Sequence, residues 1–111
     1  MLVATSSPFG SRSRTRVLQA LRLLNESYPR ELSRLLEIPL NAVQQALLGL
    51  EKDGLVAART AGRTRLYRLN PRYFAHAELT QLLLRLTEPE AELRRRVEEL
   101  RRRPRRTGKP L

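Results

Sequence analysis

The chain has no cysteine, one histidine (His76), one aspartate (Asp53) and two lysines (Lys52 and Lys109) in 111 residues. Each shortage excludes something. Without thiols there is neither a disulfide framework nor a thiolate metal site. A lone histidine cannot supply a sensor cluster rich in Cys and His. One aspartate cannot make an Asp-x-Asp metal pair, and no carboxylate pair or nucleophile–base set accompanies it, so an enzyme is not expected and no cofactor is implied. No apolar run approaches the ~20 residues a membrane-spanning helix needs. Met1 to Ser7 is too short and too weakly apolar for a signal peptide. A cytoplasmic protein without membrane association is the expectation.

Arginine is abundant by contrast. The formal net charge is +11 and the isoelectric point about 11.5. Such a balance favours a polyanionic partner. Guanidinium forks suit phosphate and base edges, although a GC-rich coding sequence also replaces lysine by arginine. With 41% hydrophobic residues, the length allows one domain with one modest core.

Met1 to Gly10 is polar and holds Pro8 and Gly10, as a loose arm does. A first helix is predicted from Ser11 or Ser13, either of which can cap it. Val17, Leu21 and Leu24, with Leu18 and Ala20 beside them, form its inner stripe. Arg12, Arg14 and Arg16 crowd its first turn against the helix dipole, an arrangement that a phosphate partner would relieve. The words Phe9-Gly10-Ser11-Arg12 imitate a Gly-Ser nucleotide-binding loop. Nothing strand-like precedes them, and the carboxylates such a loop requires do not follow.

The stretch from Arg30 to Asn70 organises the rest. Pro29 is a good first helical residue, and a second helix runs to about Leu36, burying Leu32, Leu35 and Leu36. Tyr28 could form a very short strand before it. Glu37-Ile38-Pro39 breaks the helix, because proline cannot continue it. A third helix follows from 40 to 53. Val43, Ala46, Leu47 and Leu50 face inward, leaving Asn41, Gln44, Gln45, Leu48 and Lys52 outward. Asn and Gln can pair bidentately with adenine, and an exposed Leu can meet a thymine methyl. Gly54 ends the helix. Two strands, Leu55 to Thr60 and Thr64 to Leu69, are joined through Ala61-Gly62-Arg63. Tyr67 and Leu69 point inward, and Arg59, Arg63, Arg65 and Arg68 decorate the hairpin, where they could meet phosphate or a minor groove or simply block edge pairing.

Helix, tight break, helix and hairpin is the order of a winged helix-turn-helix. Residues 11–86 resemble the small winged-helix regulators of the ArsR/MarR type. They resemble still more closely the winged-helix modules that accompany bacterial and archaeal nucleotidyltransferase-like proteins. The matching words are Phe9-Gly10-Ser11-Arg12, Arg30-Glu31-Leu32-Ser33-Arg34-Leu35-Leu36, Leu50-Glu51-Lys52-Asp53-Gly54-Leu55-Val56 and Leu66-Tyr67-Arg68-Leu69-Asn70-Pro71. The resemblance implies a mostly α fold with a small β-hairpin wing (α+β) and an added C-terminal helix. It implies a prokaryotic, sequence-selective regulator that binds double-stranded DNA. The helix at 40–53 would read the major groove and the wing at 55–69 would touch backbone or minor groove. The DNA-binding residues are then Arg30, Asn41, Gln44, Gln45, Leu48, Arg59, Arg63 and Arg65. Position 48 is often basic in such helices; leucine there shifts phosphate anchoring to the wing. The alternatives are an interaction partner of a nucleotidyltransferase-like protein and a non-specific basic nucleic-acid binder.

Beyond Asn70-Pro71, a fourth helix is expected from Tyr73 to Leu86. A last one, at 87–103, would be capped by Thr87 with Glu90 in a capping box. Leu79, Leu83, Leu86, Leu93, Val97 and Leu100 keep a 3–4 spacing that would suit a homodimer seam or simply close the core. Arg101 to Leu111 holds six cations and no acid. From 104 to 111 it is expected to be a disordered basic tail able to lie along phosphates.

Overall fold

The computed structural model describes residues 8–102. The first part of the expected arm, 1–7, and residues 103–111, which include the expected basic tail at 104–111, lie outside the described residues. Five helices and one hairpin follow in the order α1 (Arg12–Leu24), α2 (Pro29–Leu36), α3 (Leu40–Lys52), β1 (Val56–Ala61), β2 (Thr64–Leu69), α4 (His76–Thr87) and α5 (Ala91–Arg102). The fold class is α+β, as the pattern predicted.

Helix α1 is the centre. Ser11 is extended, and its Oγ accepts the Arg14 N–H at 3.1 Å, capping the helix. Val17, Leu18, Ala20 and Leu21 are all buried, and α2, α3, β2, α4 and α5 pack around them. Pro8 to Gly10 is a turn rather than a free end: Phe9 is half-buried against the core, and its carbonyl accepts from Arg14 at 3.2 Å.

Helix α2 stops where expected. Glu37 takes the left-handed conformation (φ 58, ψ 45), and its N–H bonds the Ser33 carbonyl. The Ser33 hydroxyl donates to the Ile38 carbonyl at 2.6 Å, which locks the break before α3. Strands β1 and β2 pair antiparallel from Val56↔Leu69 to Ala61↔Thr64. The two-residue tip is Gly62-Arg63, with Gly62 at φ 65, the glycine-first turn that a right-twisted hairpin favours.

Several boundaries differ from expectation. The short extra strand is Ser27, not Tyr28. Ser27 exchanges two backbone bonds with Tyr67, at 3.0 and 2.7 Å, while Tyr28 is already the extended cap of α2. Helix α4 starts at His76, because Asn70 to Ala75 is taken up by turns in which Asn70 Oδ1 and its carbonyl accept the N–H groups of Arg72 and Tyr73. Thr87 does not cap α5. It is the buried last residue of α4, and its hydroxyl donates back to the carbonyls of Leu83 and Leu84, both at 3.0 Å. Glu90 is engaged elsewhere, on Arg16 at 3.0 Å.

The expected dimer seam lies inside the protomer. Leu79, Leu83, Leu93 and Val97 are buried, and Leu86 and Leu100 pack against the same core. Helix α5 is a strap across the ends of other helices. Arg96 donates to the Leu35 carbonyl at 2.9 Å and pairs with Glu37, and Arg101 donates to the Leu23 carbonyl. These cations meet helix C-termini, where carbonyls lack partners.

The strap makes a checkable demand. Leu93→Ala should cost about 2–5 kcal/mol of unfolding free energy, the range for truncating a buried leucine. Measured by denaturant titration, the loss should be the same at low and high protein concentration. A loss that shrinks as concentration rises would mean that α5 packs on another copy.

Candidate nucleic-acid interface

Helix α3 has two faces of opposite character. Val43, Ala46, Leu47 and Leu50 are buried, and Asn41, Gln44, Gln45, Leu48 and Lys52 are exposed. The exposed set recurs at three- and four-residue spacing, so it forms one stripe along a helix about 20 Å long. Leu48 is 58% exposed in the middle of that stripe. An apolar side chain there gains nothing from water, but it offers a contact surface between four amide and amine groups.

Acids beside this helix are already occupied. Glu51 pairs with Arg65 at 2.8 Å, Asp53 with Arg14 at 2.8 Å, and Glu37, at the break before α3, with Arg96 at 3.1 Å. A polyanion approaching α3 therefore meets amides and cations rather than bare carboxylates. Arg30 is exposed on α2, and so is Arg34 one turn on; together with Ser33 and Leu40 they line a hollow of about 220 Å³ at the start of α3. Arg34 was not singled out from the sequence, although its i+4 spacing from Arg30 was the available signal.

The arginines of the hairpin divide into two kinds. Arg63 sits at the tip, fully outward, with no ion-pair partner among the described residues. Arg59 forks onto Glu26, Nε to Oε2 at 2.8 Å and Nη2 to Oε1 at 3.0 Å. That hydrogen bonding and the Glu26 charge raise its pKa above the ordinary arginine value. Arg65 donates from Nε to the Tyr67 hydroxyl at 3.0 Å and from Nη2 to Glu51 at 2.8 Å, and its guanidinium lies 5.6 Å from the Tyr67 ring centre. The Tyr67 bond, then the Glu51 charge, push its pKa up as well. Arg65 thus ties the hairpin to the end of α3. The structure brings Asn41, Gln44, Gln45, Leu48 and Arg30 onto or beside α3, with Arg63 free at the tip. Arg59 and Arg65 are already partnered.

The expected phosphate role of the α1 cluster changes too. Arg14 and Arg16 are held by Asp53 and Glu90; of the three, only Arg12 has no ion-pair partner among the described residues. Among those residues no group of three His, Asp or Glu side chains could hold a metal ion, and no helix is long and apolar enough to cross a membrane.

A short helix, a locked break, a second helix with an exposed polar stripe, and a hairpin tied to its end settle the architecture. The fold is a winged helix-turn-helix. Among solved structures it is similar to the crystal structure of a transcriptional regulator, HlyU, from Vibrio vulnificus CMCP6. The TM-score is 0.59 and the sequence identity 27%, over 72% of this chain and 77% of that one. No protein-family model and no curated protein sequence matches the chain.

The division of the wing arginines has a measurable consequence. In fluorescence anisotropy with duplex DNA, Arg63→Gln should flatten the log–log salt slope by up to about 0.9. Arg65→Gln should flatten it much less, because Glu51 already neutralises that cation. Equal slope losses would show that Arg65 leaves Glu51 for phosphate.

Proposed function

We propose that this chain is a transcriptional regulator that binds double-stranded DNA, reading the major groove with α3 and touching backbone or minor groove with the wing. The observation that carries the reading is the exposed stripe Asn41, Gln44, Gln45, Leu48 on a helix whose other face is buried, with the neighbouring carboxylates occupied. The amide side chains are the right chemistry for adenine edges and Leu48 for a thymine methyl. Arg30, Arg34 and Arg63 would position the protein on phosphates. The likeness to HlyU, a transcriptional regulator, supports the same reading. A purely non-specific binder would have no use for an ordered amide stripe. Nothing among the described residues points to a nucleotidyltransferase-like partner.

Asn41→Ala and Gln44→Ala should each weaken binding to a site selected from random DNA by roughly 1–3 kcal/mol while leaving random-duplex binding nearly unchanged. Equal losses on both DNAs would remove α3 as the reader.

We also propose a homodimer, built on a different surface from the buried leucine ladder. Helix α4 leaves Leu82 and Leu84 exposed at 43% and 37%, and Phe74 just before it at 91%. Large exposed apolar groups on and just before α4 suit a two-fold contact, which would set two α3 helices about one DNA turn, ~34 Å, apart. Sedimentation at tens of micromolar should show a dimer, and Leu82→Glu should return it to a monomer with unchanged circular dichroism. A wild-type monomer under those conditions would refute the dimer and leave the DNA reading standing.

A further inference from the structure

Helix α5 meets the chain at two places where the backbone is strained. Among the described residues two that are not glycine have positive φ: Asn25 (φ 74), which ends α1, and Glu37 (φ 58), which ends α2. Glycine is the usual residue at left-handed helix ends, because a Cβ there crowds the backbone. An arginine of α5 lands two residues before each. Arg101 donates to the Leu23 carbonyl, and Arg96 to the Leu35 carbonyl at 2.9 Å. Strained residues persist where their surroundings hold them, and they gather at functional sites.

The second place is the break of the helix-turn-helix. Glu37, Ile38 and Pro39 are all that separate α2 from α3, and Pro39 caps α3 without a side-chain bond. A shift in these residues passes first to Asn41, the second residue of α3 and the start of the amide stripe. From inside, the Ser33 carbonyl holds the break by accepting the N–H groups of Glu37 and Ile38. From outside, Arg96 holds it with a guanidinium whose three nitrogens face three oxygens. Nη1 meets the Leu35 carbonyl, Nη2 meets Glu37 Oε2 at 3.1 Å, and Nε meets Glu92 Oε2 at 3.0 Å. Leu93 and Val97, on either side of Arg96 in α5, are buried at 2% and 3% exposure and fix its backbone.

We infer that Arg96 is a positioning residue for α3: it clamps the break and so fixes where the amide stripe is presented, without touching DNA. The consequence for DNA rests on the reading proposed above. The clamp itself does not, and it is measured without DNA. Only a planar fork serves three acceptors at once; a lysine ammonium keeps the charge but not the geometry.

Hydrogen exchange of the amides of residues 37 and 38, followed by NMR on the full-length protein, reads the clamp. In Arg96→Gln both should exchange about tenfold faster, the scale of a lost charge-assisted bond, while Leu18 and Val97 keep their rates. On DNA, the ratio of affinity for a selected site to affinity for random duplex should fall about fivefold or more, as when an amide loses its base. The salt slope should not change, since Arg96 meets no phosphate. Arg96→Lys should fall between Arg96→Gln and the wild type. Glu37→Gln, at a side chain 70% exposed, spares the Leu35 bond and should move both readouts the same way but less. The inference is overturned if no folded variant of the three quickens exchange at residues 37 and 38, or if exchange quickens while site preference stays whole. A salt slope flattened by about 0.9 in Arg96→Gln also overturns it, because Arg96 would then be a phosphate contact. A wild-type protein that prefers no duplex over another refutes the DNA reading instead, and the exchange rates alone then decide the clamp.

Discussion

Helix α1 has almost no outward side between Thr15 and Leu24, and the rest of the domain is arranged to meet that constraint. Thr15 and Gln19 are buried with Val17, Leu18, Ala20 and Leu21. A polar group in such a place must find a partner inside the protein. Gln19 donates to the Leu86 carbonyl at 3.1 Å, fastening α4, and Arg16 reaches Glu90 before α5. Arg14 crosses α3 to Asp53. It can do so because position 49 is glycine: a Cβ there would stand 2.6 Å from the Arg14 Nη2. Glycine within a helix costs about 0.5–1 kcal/mol relative to alanine, and here it leaves room for a guanidinium that joins the start of α1 to the end of α3. Arg14, Arg16 and Gln19 thereby each position a different neighbour, including the helix that carries the exposed amide stripe.

The periodic parts of the chain were legible from sequence. The spans of α2, β2 and nearly all of α3 follow from apolar spacing, from Pro29 and Pro39, and from Gly54, which takes φ 84 just after α3. The buried and exposed faces of α3 were legible for the same reason, since a helix with one stripe of Val, Ala and Leu can bury only that stripe. What spacing cannot state is which surface a stripe is buried against. Leu79, Leu83, Leu93 and Val97 carry a pattern equally suited to a second copy or to α1 and α2, and the short link at Glu88 to Glu90 lets α5 fold back and use it in cis. Thr87 failed as a cap for a related reason. A Thr three residues before a Glu satisfies the capping-box spacing, but a threonine hydroxyl bonds as readily to a carbonyl one turn earlier in its own helix.

Charge was the least legible quantity, because composition counts arginines and only the fold shows which are spent. Arg14, Arg16, Arg59, Arg65 and Arg96 each hold a carboxylate on another element. No local pattern links Arg59 to Glu26 or Arg65 to Glu51, which meet only after the hairpin folds over α3. Four of the chain's cations, Arg103, Arg105, Arg106 and Lys109, lie beyond residue 102. A formal charge of +11 therefore overstates what the folded domain offers to a phosphate backbone at any one place.

The paired arginines bear on the proposed reading in a specific way. Exposed ion pairs contribute little to stability, so neither Arg59–Glu26 nor Arg65–Glu51 holds the domain together. Their effect is on geometry. Arg65 is fixed at three points, the Glu51 carboxylate, the Tyr67 hydroxyl and the Tyr67 ring face, and Tyr67 is itself bonded through its backbone to Ser27 at the other edge of β2. The wing base is consequently in register with the last turn of α3, while Arg63 remains at the tip with its charge unspent. A hairpin held this way can sense the width of a groove only at a fixed distance from the bases that α3 would meet. Selectivity would then come from the amides of α3 and the fixed offset of Arg63 together, with the paired arginines setting the offset rather than touching the nucleic acid.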